Sequence, residues 1–182
     1  MNREQSRRFA IACLAAGVVV LIDQATKAAA LSGLSQDERL PLLGDLLGLQ
    51  LAFNPGAILS LGAGFTGLLT LLGVGAVVVL IVAAARARTG WWAVGIGLIL
   101  GGAIGNVIDR LFSPPGFGVG HVTDFLAYGT LFIGNLADVA LGAGVIVLGL
   151  NIWVRDRRAR TDTTNDGVTG GAAPAGSAVS GS

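Results

Sequence analysis

The chain reads as an all-α integral membrane protein: four transmembrane helices, with a small extracytoplasmic β-rich element between them. Three observations predict this class. Apolar residues make up 53% of the 182 positions and charged ones only 13%, and mean hydropathy is +0.73, which leaves too little polar surface to cover a soluble globule of this length. Four apolar runs are long enough for a ~30 Å hydrocarbon core, which needs roughly 20 helical residues. Lys and Arg are gathered in short clusters beside those runs instead of covering a face. A net charge of +1 offers no basic field for nucleic acid. Cys13 is the only cysteine, which excludes an intramolecular disulfide framework and any multi-cysteine metal site.

In chain order, residues 1–8 form a short basic N-terminus carrying Arg3, Arg7 and Arg8. A membrane domain over 9–154 follows, with spans predicted near 9–31, 66–85, 91–112 and 134–154. Between the second and third lies only Arg86-Ala87-Arg88-Thr89-Gly90, a hairpin-length link. The longer connections, 32–65 and 113–133, fall on the other side. Arg155, Arg157, Arg158 and Arg160 follow the fourth span, so nine of the twelve Lys/Arg lie on one side. The positive-inside rule makes that side cytoplasmic, with both termini there and the long loops outside. Trp91, Trp92 and Trp153 then fall at the cytoplasmic boundary, where indoles form a headgroup-level belt. In loop 32–65, Leu47, Leu49, Leu51 and Phe53 alternate with Gly48, Gln50, Ala52 and Asn54, which predicts a strand. A second is expected over Tyr128 to Ile133. Residues 155–182 are basic and then, from about Thr161, rich in Gly, Ala, Ser and Thr, and are expected to form an unfolded cytoplasmic tail.

The many glycines within the apolar runs, Gly95, Gly97, Gly101, Gly102 and Gly105 among them, suit close helix packing in lipid. Ser6-Arg7-Arg8-Phe9 with Ala28-Ala29-Ala30 has the outline of a cleavable signal peptide, but Asp23 and Lys27 interrupt it and three spans follow. Ala10-Ile11-Ala12-Cys13 lacks the upstream apolar region of a lipobox, and Cys13 reads as a small lipid- or helix-facing residue.

Ionisable groups in hydrocarbon cost about 2.5–3.5 kcal/mol each even on a mild insertion scale, so those present call for a function. Asp23 and Lys27 are four apart on one face of the first span, in the acid-before-base order that favours an ion pair. Asn106, Asp109 and Arg110 share a face of the third. Asn135 and Asp138 open the fourth. With the predicted topology all three groups lie at the outer ends of their spans. The outward loops add Asn54 and Asp124, and Asp124 is close enough in sequence to Asp138 for a short excursion to join them. Two neighbouring carboxyls hold one proton between them; such a pair can activate water as a base while protonating a carbonyl or leaving amine, without metal. A metal site is not expected: His121 is the only histidine, and carboxylates alone would need more oxygen ligands for Ca²⁺ or Mg²⁺.

Five blocks now resemble, in order, those of the bacterial lipoprotein signal peptidases (signal peptidase II): Asp23-Gln24-Ala25-Thr26-Lys27, Phe53-Asn54-Pro55-Gly56-Ala57, Gly105-Asn106-Val107-Ile108-Asp109-Arg110, Val122-Thr123-Asp124-Phe125 and Asn135-Leu136-Ala137-Asp138. The resemblance covers roughly 9–154. It implies an intramembrane aspartyl endopeptidase with Asp124 and Asp138 as the catalytic pair. Asn54, Asn106, Arg110 and Asn135 would position substrate or brace the pair, and Asp23 and Lys27 would support it. It further implies a multi-pass protein of the bacterial inner (cytoplasmic) membrane with its site near the outer face, and a β-cradle lying on that membrane. The implied substrate is a prolipoprotein carrying diacylglycerol on a cysteine and cut just before it; no cofactor is implied, and membrane lipid is the other partner. No obligate protein partner is evident. The chain departs from the pattern at Ile58-Leu59, where a smaller or aromatic pair is common, at Gly134, where an aromatic often stands, and in the Pro/Gly-rich stretch Ser113-Pro114-Pro115-Gly116-Phe117-Gly118.

Structural roles compete at several positions. Asp23 and Lys27 could be an ion pair alone, Asp109 could serve only to neutralise or orient Arg110, and Asn54 could hold a turn. The rival functions are a small transporter or proton channel, since intramembrane charges also mark ion paths, and a non-catalytic scaffold. Transport calls for polar groups through the whole depth of the bundle, whereas the cytoplasmic halves of these spans are almost wholly apolar.

Overall fold

The computed structural model describes residues 2–56 and 62–169. Ala57, the Ile58-Leu59 pair and the last part of the expected tail, 170–182, lie outside the described residues. Within them are four helices long and apolar enough to cross a membrane. Helix α1 (Arg3–Gly33) starts ahead of the apolar run because Asn2 caps it, accepting the Gln5 N–H at 2.8 Å. Helix α2 spans Thr66–Ala85 after a single 3₁₀ turn, Ala63–Phe65. Helix α3 (Gly90–Phe112) is capped by Thr89, which accepts the Trp92 N–H at 3.1 Å. Helix α4 spans Leu136–Thr169 and so runs past Thr161, from where an unfolded tail was expected. From Gly149 the chain forms a separate compact unit, in which the Arg157 guanidinium lies 4.2 Å from the centre of the Trp153 ring.

Helix α3 is the central one. Of its most apolar window 44% is buried, against 11–17% for the other three helices. Glycines make this possible. A Cβ at Gly97 would stand 2.6 Å from the Ala12 carbonyl oxygen of α1, and one at Gly101 2.6 Å from Val19 Cβ. On another side, a Cβ at Gly102 would come within 2.5 Å of the Ala137 carbonyl oxygen of α4. Side chains there would force the helices apart, and close backbone approach is what holds helices together in lipid. At the end of the bundle away from the sheet, Ala12, Ala84, Ala87, Ala93 and Ile96 form a buried apolar cluster.

The loops build one antiparallel sheet in the order β1 (Leu40–Leu43), β2 (Leu47–Asn54), β3 (Val122–Tyr128), β4 (Phe132–Gly134). Strand β2 matches the period-two prediction. The single strand expected over Tyr128 to Ile133 is instead a hairpin: Gly129 adopts φ +57°, a left-handed turn conformation, so the chain reverses and splits the run between β3 and β4. In the β2–β3 pairing Ala52 faces Asp124 and Asn54 faces Val122. Since side chains alternate along a strand, Asn54 and Asp124 emerge on the same face. The opposite face supplies Phe125 to a core shared with Ala30 of α1 and Leu51.

Candidate active site

Eight of the nine side chains singled out in the sequence join one hydrogen-bonded network, and the ninth, Arg110, holds the loop beside it. Asn135 is the keystone. It caps α4: its Oδ1 accepts the Asp138 N–H at 3.0 Å, and Asp138 Oδ2 in return accepts the Asn135 N–H at 3.3 Å. This is a reciprocal capping box in which an aspartate fills the place usually taken by Glu. The Asn135 side-chain NH₂ is left to donate to Asp124 Oδ1 at 2.6 Å. One asparagine therefore binds both carboxylates, and local helix-end chemistry fixes where Asp138 stands.

Each carboxylate takes a second amide donor from elsewhere. Asn54 Nδ2 donates to Asp124 Oδ2 at 3.1 Å while its Oδ1 accepts the Gly56 N–H at 3.0 Å, so Asn54 both holds the turn and meets Asp124. Asn106 Nδ2 donates to Asp138 Oδ1 at 3.0 Å. Asp124 is only 2% exposed. Burial pushes its carboxyl up to about 6, opposed by the hydrogen bond from Asn135 and reinforced by the charge of Asp138. Burial, with the same carboxylate, also raises the Tyr128 phenol. The charge of Asp138 thus reaches Asp124, whose carboxyl keeps its proton to a higher pH than an ordinary aspartate. A cavity of about 320 Å³ opens on Asp124 and Asn54, walled by Ala52, Phe53, Leu131, Phe132 and Ile133. Gly134 contributes no side chain there; a Cβ on it would sit 3.0 Å from Asp138 Oδ2.

Below the pair lies a buried ion cluster. Lys27 Nζ is 2.8 Å from Asp23 Oδ2 and 2.9 Å from Asp109 Oδ2, and it donates to Asn106 Oδ1 at 3.1 Å. Asp23 Oδ1 accepts the Ala137 N–H at 3.0 Å, which ties α1 to the first turn of α4. Asp109 Oδ2 accepts the Thr123 N–H at 3.0 Å, one residue before Asp124.

The expected partnership of Asp109 with Arg110 is not what forms. Adjacent residues on a helix point in different directions, so Asp109 turns to Lys27, while Arg110 donates to the backbone carbonyls of Pro55 and Gly56. Gln24 is a member the sequence reading passed over. Its Nε2 reaches Asp23 Oδ2, the Gly105 carbonyl and Asp109 Oδ1 at 3.1–3.2 Å. An amide inside an apolar run next to Asp23 was the available signal.

The family model for signal peptidase (SPase) II matches residues 15–154 of this chain. The chain belongs to that family. Among its relatives are the lipoprotein signal peptidases of Rhodococcus jostii (43% identical, over 73% of this chain and 67% of that one) and Leifsonia xyli subsp. xyli (51%, over 68% and 57%). That of Mycobacterium avium is 37% identical over 88% of this chain and 91% of its own length. Among solved structures, a bacterial membrane enzyme determined by the in meso method at 2.3 Å resolution has the same fold, with a TM-score of 0.69 at 24% identity over 85% of this chain and 90% of that one. This family member is therefore a multi-pass membrane peptidase of aspartic type, and the four spans and the small sheet agree with the sequence reading.

Proposed function

We propose that the chain removes the signal peptide from diacylglyceryl-modified prolipoproteins, cutting just before the lipidated cysteine, with Asp124 and Asp138 as its catalytic pair. The observation that carries this reading is the joining of both carboxylates through Asn135 beside an open cavity. A water between the carboxyls loses a proton to the ionised one as it attacks the scissile carbonyl, and the protonated one gives its proton to the forming oxyanion. As the tetrahedral diol collapses, the protonated carboxyl gives its proton to the departing cysteine amine while one diol hydroxyl gives its proton to the ionised carboxylate, so the new peptide acid is released and the pair is singly protonated again. No metal enters the sequence of steps. Asn54, Asn106 and Asn135 act as supports that aim the carboxylates, Arg110 shapes the Asn54 turn, and Asp23, Lys27 and Asp109 support the site from beneath.

The clustering of basic residues favours cytoplasmic termini and a site near the outer face of the bacterial inner membrane. A substrate anchored by two acyl chains, at about 0.8 kcal/mol per buried CH₂, is confined to that depth and oriented there. The test is a paired assay with chelator present, in detergent and in liposomes, of a diacylglyceryl-cysteine peptide and its unlipidated counterpart. Cleavage confined to the lipidated peptide is expected. Equal cleavage of both would refute lipid-gated presentation, and loss of activity with chelator would refute the aspartyl mechanism.

A further inference from the structure

A carboxamide has an acceptor end and a donor end, and whichever faces a carboxylate decides between attraction and repulsion. In this site all four oxygens of the two aspartates meet N–H donors, so every asparagine must present its NH₂ inward. Two of the three are set by backbone: the Gly56 N–H holds the Asn54 oxygen and the Asp138 N–H holds that of Asn135. The third is set by a side chain from another helix. Asn106 Oδ1 faces Lys27 Nζ at 3.1 Å. An ammonium carries three donors and no acceptor, and those of Lys27 meet Asp23, Asp109 and Asn106. The lysine is 3% exposed. Turning the Asn106 amide over would set NH₂ against the ammonium and a carbonyl oxygen against the Asp138 carboxylate.

We propose that Lys27 is a positioning residue of the peptidase reaction, acting through Asn106: it sets the direction of that amide and so holds Asp138 Oδ1 as a hydrogen-bond acceptor. This rests on the reading of Asp138 as a catalytic carboxylate. Any proton that Asp138 exchanges with water or with Asp124 then lies away from the Asn106 contact. Lys27 touches neither substrate nor Asp138, so its removal should lower kcat and leave KM nearly unchanged.

The experiment is a double-mutant cycle on the full chain in liposomes, with a diacylglyceryl-cysteine peptide as substrate. Lys27→Met and Asn106→Ala are each expected to lower kcat roughly 100-fold, the size of loss that misplacing a reacting group by about 1 Å produces, with KM within about twofold. The double variant should lose clearly less than the product of the two single losses, because the part of the lysine's effect that runs through Asn106 is already gone and only its support of Asp23 and Asp109 remains. Losses that multiply would overturn the proposal, as would a Lys27→Met defect wholly accounted for by a smaller folded fraction. If Lys27→Met does not fold, Lys27→Met/Asp109→Asn removes a cation and an anion together and takes its place in the cycle, under the same two criteria. Wild-type and Asp138→Asn controls run alongside. Undiminished cleavage by Asp138→Asn would remove the catalytic reading itself and this inference with it, a result separate from multiplying losses on an Asp138-dependent background.

Discussion

Helices α1 and α3 meet along one seam, and its two ends are held by different forces. Gly97, Gly101 and Gly105 recur every fourth residue of α3, on one side of the helix. The first two meet the backbone of Ala12 and Ala16 and the Cβ atoms of Ala15 and Val19, so this end of the seam is close apolar packing. The third meets a charge: a Cβ at Gly105 would stand 2.5 Å from Asp23 Oδ2. One turn of helix separates packing that only joins from packing that aims a buried ion cluster at Asp138. Small residues serve both ends, but a disturbance at the apolar end should be felt as stability and one at the polar end as lost chemistry.

The largest expected effect lies at the polar end. Asp124→Asn and Asp138→Asn should each lower kcat by about 10³-fold or more, since either change removes a group that must gain and lose a proton. Folding should suffer little in comparison. Both oxygens of each aspartate face N–H donors, so the new amide must turn its NH₂ toward one of them, at a cost of about 1–3 kcal/mol. Assays of lipidated-peptide cleavage and of apparent Tm on the same preparations check this. An Asp138→Asn protein that cleaves at near wild-type rate would reduce that residue to a helix cap.

A glycine pair tests the seam itself. Gly101→Ala should cost about 1–3 kcal/mol of stability by overpacking against the α1 backbone, with kcat of the folded protein kept. Gly105→Ala should lower kcat about 100-fold through displaced Asp23, at a smaller cost in apparent Tm. Equal ratios of kcat loss to Tm loss in the two variants would erase the distinction between the two ends.

Burial of Asp124 makes a further contrast, with pH as the variable. Its carboxyl titrates near 6 in the fold, above its ordinary value of 3.8. The folded state thus binds this proton more tightly than the unfolded one. The associated stability is fully present below about pH 4 and is lost as pH rises to about 6 and beyond, to a limit of about 3 kcal/mol at about 1.4 kcal/mol per unit. Asp124→Asn lacks this loss. The apparent Tm of the variant minus that of wild type should therefore climb between pH 4 and 6 and level off above 7. A flat difference would mean that Asp124 is not desolvated.

Much of this was legible in the sequence because lipid imposes simple rules. Span lengths and the cost of polar groups in lipid picked out the helices and the clusters at their outer ends, Asp23 with Lys27, Asn106 with Asp109 and Asn135 with Asp138. Asn54 and Asp124, in the loops, were singled out chiefly by the resemblance of their blocks. The sheet was harder. Strand β3 is buried along most of Val122–Tyr128, so it shows no alternation of apolar and polar residues, and the turn at Gly129 lies inside what read as one strand. Partner choice was harder still. The order Asp23 before Lys27 fixes a face, and the pair formed. Asp109 and Arg110 are neighbours in sequence but diverge in space, and only the tertiary fold shows that Asp109 serves Lys27 and Thr123 while Arg110 serves a loop.

That divergence sets the smallest expected effect. Removing Arg110 does not strand Asp109, which keeps Lys27, Gln24 and the Thr123 N–H. What it takes away are the donors to the Pro55 and Gly56 carbonyls, in the turn that Asn54 closes through the Gly56 N–H. Pro55 retains the Thr66 hydroxyl at 2.8 Å, so the turn loosens at Gly56 first, and Asn54 loses its aim at Asp124. Arg110→Ala should thus lower kcat/KM about 10-fold, near 1.4 kcal/mol, with the ion cluster intact. Arg110→Lys should recover only part of this, because an ammonium cannot reproduce the planar fork that reaches two carbonyls. The decisive measurement is a cycle of Arg110→Ala with Asn54→Ala. Losses that fail to multiply place the effect in the turn, whereas full multiplication, together with a fall in apparent Tm matching that of Asp109→Asn, would return Arg110 to the role of counter-charge that adjacency in sequence suggested.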